Sequence, residues 1–232
     1  MKIAFLLLAT TIVSISYGQD FKKHIKDYTS LVVSRGIDAT LVKSDENDIS
    51  ITSHGVAPEH IIVDNHGDEL RIKIATKALW QEMQDKHWWV KLEIPYKKIV
   101  SIEVLTGARI KSEEPLKADV LDLATSMGAE LELELITNEL YVDASMGGVA
   151  ELKGSTETLK VTASMGSEAD LHLLSAKYVK AKSSMGSELL VKATKEFDGH
   201  ATMGGYIKVY SNPDRFYENS GMGGDISGGR DN

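Results

Sequence analysis

Cysteine is missing from all 232 residues, so the chain can form no disulfide and offers no thiol for lipid attachment. Basic side chains are also outnumbered, because 26 lysines and arginines face 34 acidic residues for a formal net charge of −8. A surface of this sign repels nucleic acid and anionic lipid, and neither is an expected partner. Beyond the N-terminus, no apolar run reaches the roughly 20 residues that a membrane-spanning helix needs. The fold must therefore be held together by packing alone.

The first 18 residues have the pattern of a signal peptide. Lys2 supplies a positive start, Ile3 to Ile15 is almost wholly apolar, and Ser16-Tyr17-Gly18 places small residues where signal peptidase reads them. Cleavage before Gln19 would remove one of 26 basic residues and none of 34 acidic ones, leaving 25 − 34 = −9. We expect an exported protein of the periplasm, cell surface or extracellular space that is not a lipoprotein; a retained N-terminal anchor is the alternative.

Six Met-Gly pairs recur through the second half of the chain at steps of 19, 19, 20, 18 and 19 residues. A fixed period of this size is typical of a solenoid, in which each repeat buries its apolar side by stacking on its neighbours. Fewer than 20 residues is too short for a strand-helix-strand unit, which takes about 30. The repeat therefore predicts a right-handed parallel β-helix. The pairs begin at Met127, Met146, Met165, Met185, Met203 and Met222.

Small or apolar residues occupy every second position on both sides of each methionine, which predicts two strands per coil with one buried face. In the first repeat these positions are Leu121, Leu123 and Thr125, then Leu131 and Leu133. By the same alternation the six methionines should form one internal, gap-filling spine. Exposed sulfurs converging on one point would instead indicate a soft-metal site.

The residues beside each methionine predict a tight corner. The third corner residue is glycine or serine in five of six copies, which suits positive φ or close approach between coils. Stacked hydroxyls before methionine should hydrogen-bond along a column rather than act as nucleophiles, since no histidine recurs beside them. That column is Ser126, Ser145, Ser164, Ser184 and Thr202.

The repeat pattern divides the chain. Residues 1–18 form the signal peptide and 19–27 a linker. Residues 28–110 are strand-rich and continuous with the solenoid, 111–226 contain the regular repeats, and 227–232 are a tail. Leu105 to Ala108 resembles a degenerate corner, and Lys77 to His87 is either helical or a long loop. At least one of the Trp88 and Trp89 rings should be buried where the N-terminal part packs on the first full coil.

Several segments together resemble a known family. Val33 to Leu41, Asp68 to Ile72, Val90 to Pro95, Ile102 to Ala108 and the small-residue corners are similar to the "putative auto-transporter adhesin, head GIN domain" family, over roughly residues 28–226. The resemblance implies a signal peptide, a β-helical body and an adhesin-like role in the bacterial cell envelope. It implies no catalytic residues. Ser-Met-Gly stands here where many relatives have Ser-Gly-Ala, which changes the packing of the corner.

Two surface features are candidate sites. An acidic strip could bind Ca²⁺ weakly, although a solvated face is the plainer interpretation. Aromatic side chains near the end of the N-terminal part could form a sugar-binding platform or belong to the core. The strip is Glu132, Glu151, Asp170, Glu168 and Glu188, and the aromatic group is Trp80, Trp88, Trp89 and Tyr96. The histidines His54, His60, His66 and His87 lack the spacing of a metal motif.

The sequence assigns no catalytic, cofactor-binding or metal-binding residue. The preferred interpretation is an exported noncatalytic module that binds a glycan, a protein or an envelope component. A polysaccharide lyase or hydrolase is the alternative, although the repeats lack the inserted loops that build a cleft. A purely structural envelope protein is the third possibility.

Overall fold

The protein, here a computed structural model, is described over residues 19–77 and 87–229. Strands account for most of this chain and form two layers that share one apolar interior. No helix in these two ranges is long and apolar enough to cross a membrane. The strands are β1 (Gln19–His24), β2 (Ser30–Ser34), β3 (Ile37–Lys43), β4 (Asp48–His54), β5 (Ile61–His66), β6 (Glu69–Ile74), β7 (Trp89–Tyr96), β8 (Ser101–Leu105), β9 (Arg109–Ser112), β10 (Leu116–Ser126), β11 (Glu130–Ser145), β12 (Val149–Ser164), β13 (Glu168–Ser184), β14 (Glu188–Thr202), β15 (Tyr206–Val209), β16 (Arg215–Gly221) and β17 (Asp225–Gly228).

Successive coils pair in parallel and confirm the predicted β-solenoid. In β11 and β12, residues 19 positions apart are paired from Glu130 with Val149 to Ala144 with Ala163. Each long strand crosses from one layer to the other, and a Met-Gly corner then leads into the next coil. The 20-residue step between Met165 and Met185 is accommodated by a shift of register between β12 and β13, as expected of a bulge.

The buried face follows the predicted alternation. In β11, alternate residues from Leu131 to Thr137 point inward and are at most 6% exposed. The inward set resumes at Leu140 and continues to Ala144 after the bend between the layers. Thr137 and Thr156 are polar members of this interior. Thr137 Oγ1 donates to Thr156 Oγ1 at 2.9 Å, and Thr156 Oγ1 in turn donates to a backbone carbonyl, with Thr158 O at 3.2 Å, so both hydroxyls are satisfied.

The predicted internal methionine spine is wrong. Every corner methionine has a left-handed backbone, with φ between 48° and 56°, and the following glycine also has positive φ. The first five methionines are 45–52% exposed and Met222 is 78% exposed. Two successive left-handed residues, closed by a bond such as Ala129 N to Ser126 O at 3.3 Å, match a type I′ turn. This turn interrupts the alternation and directs the side chain outward.

The third corner residue, by contrast, points inward and lies against the preceding coil. A Cβ on Gly148 would be 2.6 Å from Thr125 O, so the predicted close approach is confirmed at this corner. Where serine occupies this position, its hydroxyl is close enough to hydrogen-bond to a backbone carbonyl of the preceding coil. Ser167 Oγ donates to Ala144 O and Ser187 Oγ to Ala163 O, both at 2.8 Å. Only small residues fit here, and serine adds a bond between coils.

The N-terminal part joins the same stack, but not in chain order. Strand β2 lies between β6 and β8, and β3 lies between β7 and β9, all in parallel. The predicted corner at Leu105 to Ala108 is confirmed by positive φ at Thr106 and Gly107. Arg35 and Gly36 form a further corner of the same kind, with φ of 69° and 68°.

Antiparallel strands close the N-terminal end of the stack. Strand β4 pairs with β7, β1 pairs with β4, and β5 pairs with β6. Residues 19–24, placed in a linker by the sequence analysis, form β1 because Phe21 packs against the apolar interior. Most of the segment predicted as a helix or loop, including Trp80, lies outside the described residues.

Candidate functional site

The aromatic group is not assembled into one platform. Tyr96 is buried, and its pKa is raised by that burial and by Glu114. Trp88 and Trp89 are both only half-buried, so the predicted burial of at least one of them is wrong. The Trp88 ring lies over Gly36, where an added Cβ would be 2.7 Å from the indole. Trp89, the first residue of β7, faces an open hollow instead. Of the three rings that the structure describes, Trp89 is therefore the one placed to contact a ligand.

The hollow lies on the outer surface of four neighbouring strands, β4, β7, β3 and β9, and has a volume of about 600 Å³. Its lining combines one aromatic ring with hydroxyl, carboxylate and cationic groups. Thr40, Ser50 and Thr52 provide hydroxyls, and Lys91 and Lys111 provide positive charge. Such a mixture of an apolar ring with a few polar groups is characteristic of ligand sites.

Strand register aligns the polar groups in two rows that run along the solenoid axis. We call them the Lys91 row and the Glu93 row. The Lys91 row reads Thr52, Lys91, Asp38, Arg109, Glu130, Val149, Glu168 and Glu188, and the Glu93 row reads Ser50, Glu93, Thr40, Lys111, Glu132, Glu151 and Asp170. The hollow and the acidic strip predicted from sequence are thus two parts of one continuous surface.

Charge pairing organises the Lys91 row. Arg109 lies 2.6 Å from the Glu130 carboxylate and 3.7 Å from that of Asp38, which joins three adjacent strands. The hydrogen bond from Arg109 lowers the pKa of Glu130 and keeps it ionised. Both partners are about half exposed, so this pairing mainly fixes side-chain positions and adds little stability.

Trp89 is positioned by two neighbours. The Lys91 ammonium lies 5.2 Å from the indole centroid, within the range of a cation–π interaction. His54, which is paired with Trp89 on the neighbouring strand β4, stacks its ring against the indole at a centroid distance of 6.1 Å and an interplanar angle of 23°. These contacts restrict the indole, so a ligand would meet a ring that is already oriented.

The acidic strip is aligned as predicted but does not converge. Glu132, Glu151 and Asp170 are register partners on adjacent coils, and Asp170 also contacts the His172 ring. Across the parts of the chain that the structure describes, no three histidine, cysteine, aspartate or glutamate side chains form a group that could hold a metal ion. Weak Ca²⁺ binding by the strip stays a prediction for calorimetry, where a rise in melting temperature at millimolar Ca²⁺ would support it.

The serine column has the expected structural role at its first step, where Ser145 Oγ donates to Ser126 Oγ at 3.1 Å. The histidines singled out in the N-terminal part are distributed over several elements. His54 ends β4, His60 lies in a short 3-10 turn and His66 ends β5. The hollow leaves no signal in the sequence, because its residues come from β3, β4, β7 and β9, and β7 and β9 are separated along the chain from the first two.

The parallel coils, the corner turns and the continuous outer rows define a β-solenoid with an open, polar surface. The chain matches the family described as "Putative auto-transporter adhesin, head GIN domain" over residues 27–213 and belongs to that family. No curated protein sequence matches it.

Solved structures share the fold at low sequence identity. A putative adhesin from Bacteroides fragilis aligns with a TM-score of 0.76 and 16% identity, covering 90% of this chain and 95% of the other. A putative adhesin from Parabacteroides merdae gives 0.69 and 15%, covering 91% and 96%. A structure described as a putative lipid binding protein from Parabacteroides distasonis gives 0.69 and 14%, with coverage of 91% and 96%.

Proposed function

We propose that this chain is an exported, noncatalytic binding protein of adhesin type, and that the hollow at Trp89 is where it contacts a glycan of the cell envelope or of another cell. Membership of the adhesin family supports the class of function. The observation that carries the site is the oriented Trp89 ring in a hollow of about 600 Å³ with hydroxyl and ionic groups around it.

Sugar chemistry matches this lining. A glycan presents C–H faces that pack on an aromatic ring and hydroxyls that both donate and accept hydrogen bonds. The lining offers acceptors in Asp38 and Glu93, donors in Lys91 and Lys111, and hydroxyl groups that can do both. A ligand held in this way loses little binding energy to ordering the protein, because the ring is already restricted by its neighbours.

The two rows suit an extended ligand. They leave the hollow and continue over successive coils with a repeat of about 4.8 Å, set by strand pairing. Beyond Lys111 the Glu93 row becomes acidic at Glu132 and Glu151. A neutral or amine-bearing polysaccharide could follow this path, whereas a polyanionic one would be repelled along it.

A glycan array with the purified protein tests the proposal, with Trp89→Ala compared with Tyr217→Ala. Tyr217 is 53% exposed on β16, and four strands, β14, β13, β12 and β11, separate β16 from β9, so it provides an aromatic control away from the hollow. Trp89→Ala should weaken glycan binding at least tenfold, while Tyr217→Ala should leave it unchanged. Equal losses in the two variants, or no glycan bound by the unmodified protein, would contradict the assignment of the hollow.

The proposal that the protein is noncatalytic is tested by assaying the bound glycans for released products. We expect intact glycan after prolonged incubation, and release of shorter products would favour the polysaccharide lyase or hydrolase alternative. Export and adhesion are tested by cell fractionation. Protein at the cell surface or in the medium supports the adhesive role, whereas a purely periplasmic location would remove it.

A further inference from the structure

The six corner methionines form an exposed line on the surface, which we call the methionine column. It consists of Met127, Met146, Met165, Met185, Met203 and Met222. Hydrogen bonds hold neighbouring corners together. Gly128 N donates to Met146 O at 3.2 Å and Gly147 N to Met165 O at 3.1 Å, for example. Parallel pairing then places successive members about 4.8 Å apart along the axis.

Burial and backbone preference do not fully explain methionine at these positions. A left-handed backbone costs an ordinary residue roughly 1–2 kcal/mol, and glycine, asparagine or aspartate is better tolerated there. Packing accounts for these side chains only in part, since five of them are 45–52% exposed and the sixth more so. What remains for a methionine in this position is the chemistry of its thioether in solvent.

The column brings thioethers within reach of one another. Thr106 occupies the next corner position above Met127, and its Oγ1 lies 3.8 Å from Met127 Sδ. Side chains at neighbouring corners therefore touch along the axis. Methionine is unbranched and flexible, so two adjacent members can direct their sulfurs toward a common point.

Soft monovalent cations fit this arrangement. Thioethers select Cu(I) and similar ions over hard cations. Because methionine side chains are flexible, two corners about 4.8 Å apart can bring their sulfurs to the same ion from opposite sides. We propose that adjacent methionines of the column bind a soft monovalent cation, Cu(I) or Ag(I), with two thioethers per ion. Six methionines could then hold at most three ions.

Two triple variants with equal numbers of sulfurs test the need for adjacency. The block variant, Met185→Leu, Met203→Leu and Met222→Leu, leaves three consecutive methionines. The interleaved variant, Met146→Leu, Met185→Leu and Met222→Leu, leaves three that are about 9.6 Å apart, twice the coil repeat. Leucine keeps the apolar volume and removes only the sulfur. Circular dichroism without metal checks that both variants are folded.

The measurements are calorimetric titration with silver nitrate in chloride-free buffer and Cu(I) competition with a chromophoric chelator under anaerobic, reducing conditions. The unmodified protein and the block variant should bind Ag(I), and the interleaved variant should bind at least tenfold more weakly. Methyl NMR should show Ag(I)-dependent shifts of the column methionines. Equal affinity of the two triple variants, or methionine methyl signals that do not move when Ag(I) is added, would overturn the proposal.

Discussion

Gly154 provides the sharpest test of how closely the coils are stacked. It lies within β12, paired with Leu135 on one side and Leu174 on the other, and its φ is 117°. A Cβ at this position would be 2.0 Å from the carbonyl oxygen of Leu135 and 3.0 Å from its carbonyl carbon. Leu135 is fully buried, so its backbone has no room to withdraw.

Gly154→Ala therefore carries two costs. Forcing alanine into this backbone region costs roughly 1–3 kcal/mol, and the clash between coils costs roughly another 1–3 kcal/mol. We expect a loss of about 2–6 kcal/mol in the free energy of unfolding. For a chain of this size each kcal/mol lowers the melting temperature by about 2–4 °C.

Gly147→Ala is the matched control in the same coil. Gly147 also has positive φ, at 72°, but an added Cβ would meet nothing within 4 Å. Only conformational strain remains, partly offset by the reduced entropy of the unfolded chain, so the expected loss is about 0.5–1 kcal/mol. Urea unfolding followed by far-UV circular dichroism measures both variants. A Gly154→Ala protein no less stable than Gly147→Ala would refute the close stacking.

Three further predictions concern single side chains. Met165→Asn should raise the free energy of unfolding by about 0.5–1 kcal/mol, because asparagine tolerates the left-handed corner; urea unfolding with no gain would contradict this. Burial raises the pKa of Tyr28, whose hydroxyl donates to Pro95 O at 2.9 Å. The buried, neutral hydroxyl therefore stabilises the folded state. This stabilisation is complete at pH values below the unfolded-state pKa of about 10, and it is lost as the pH rises toward the pKa of the folded state. Tyr28→Phe should therefore flatten the loss of stability between about pH 9 and 11 in urea unfolding, and an unchanged alkaline profile would count against it. Arg109 lowers the pKa of Glu130. The resulting stabilisation of the folded state is present at pH values above the unfolded-state pKa of about 4.3 and is lost in acid. Arg109→Met should raise that pKa in carboxyl NMR with little change in stability, and an unmoved titration would contradict the pairing.

Much of the repeat architecture could be predicted because each coil meets the same environment as its neighbours. Inward positions such as Leu131 and Leu133 must be apolar in every copy, which leaves both a period of two and a period of about 19 in the sequence. The corner at Leu105 to Ala108 was visible for the same reason. The spacing of apolar residues reflects which positions are buried, so it can be read from the sequence without knowing which strands pair.

The hollow could not be predicted in this way. Trp89, Thr40 and Thr52 meet there because β3 and β4 flank β7, although they precede it in the chain. The pairing of β2 between β6 and β8 is similarly non-consecutive. Such neighbours leave no periodic signal, since each occurs once and depends on how the whole N-terminal part folds back onto the stack.

The amino-acid sequence alone determined that the chain repeats, that its strands alternate between an apolar and a polar face, and where each Met-Gly corner falls. Tertiary structure decided which way the corner methionines point and which strands surround Trp89. Side chains alternate between inward and outward only while the backbone is extended. The two left-handed residues at each turn reverse the chain, so the alternation does not continue through the corner. The methionines consequently lie in solvent, a result that depends on backbone handedness and on the close approach of the next coil.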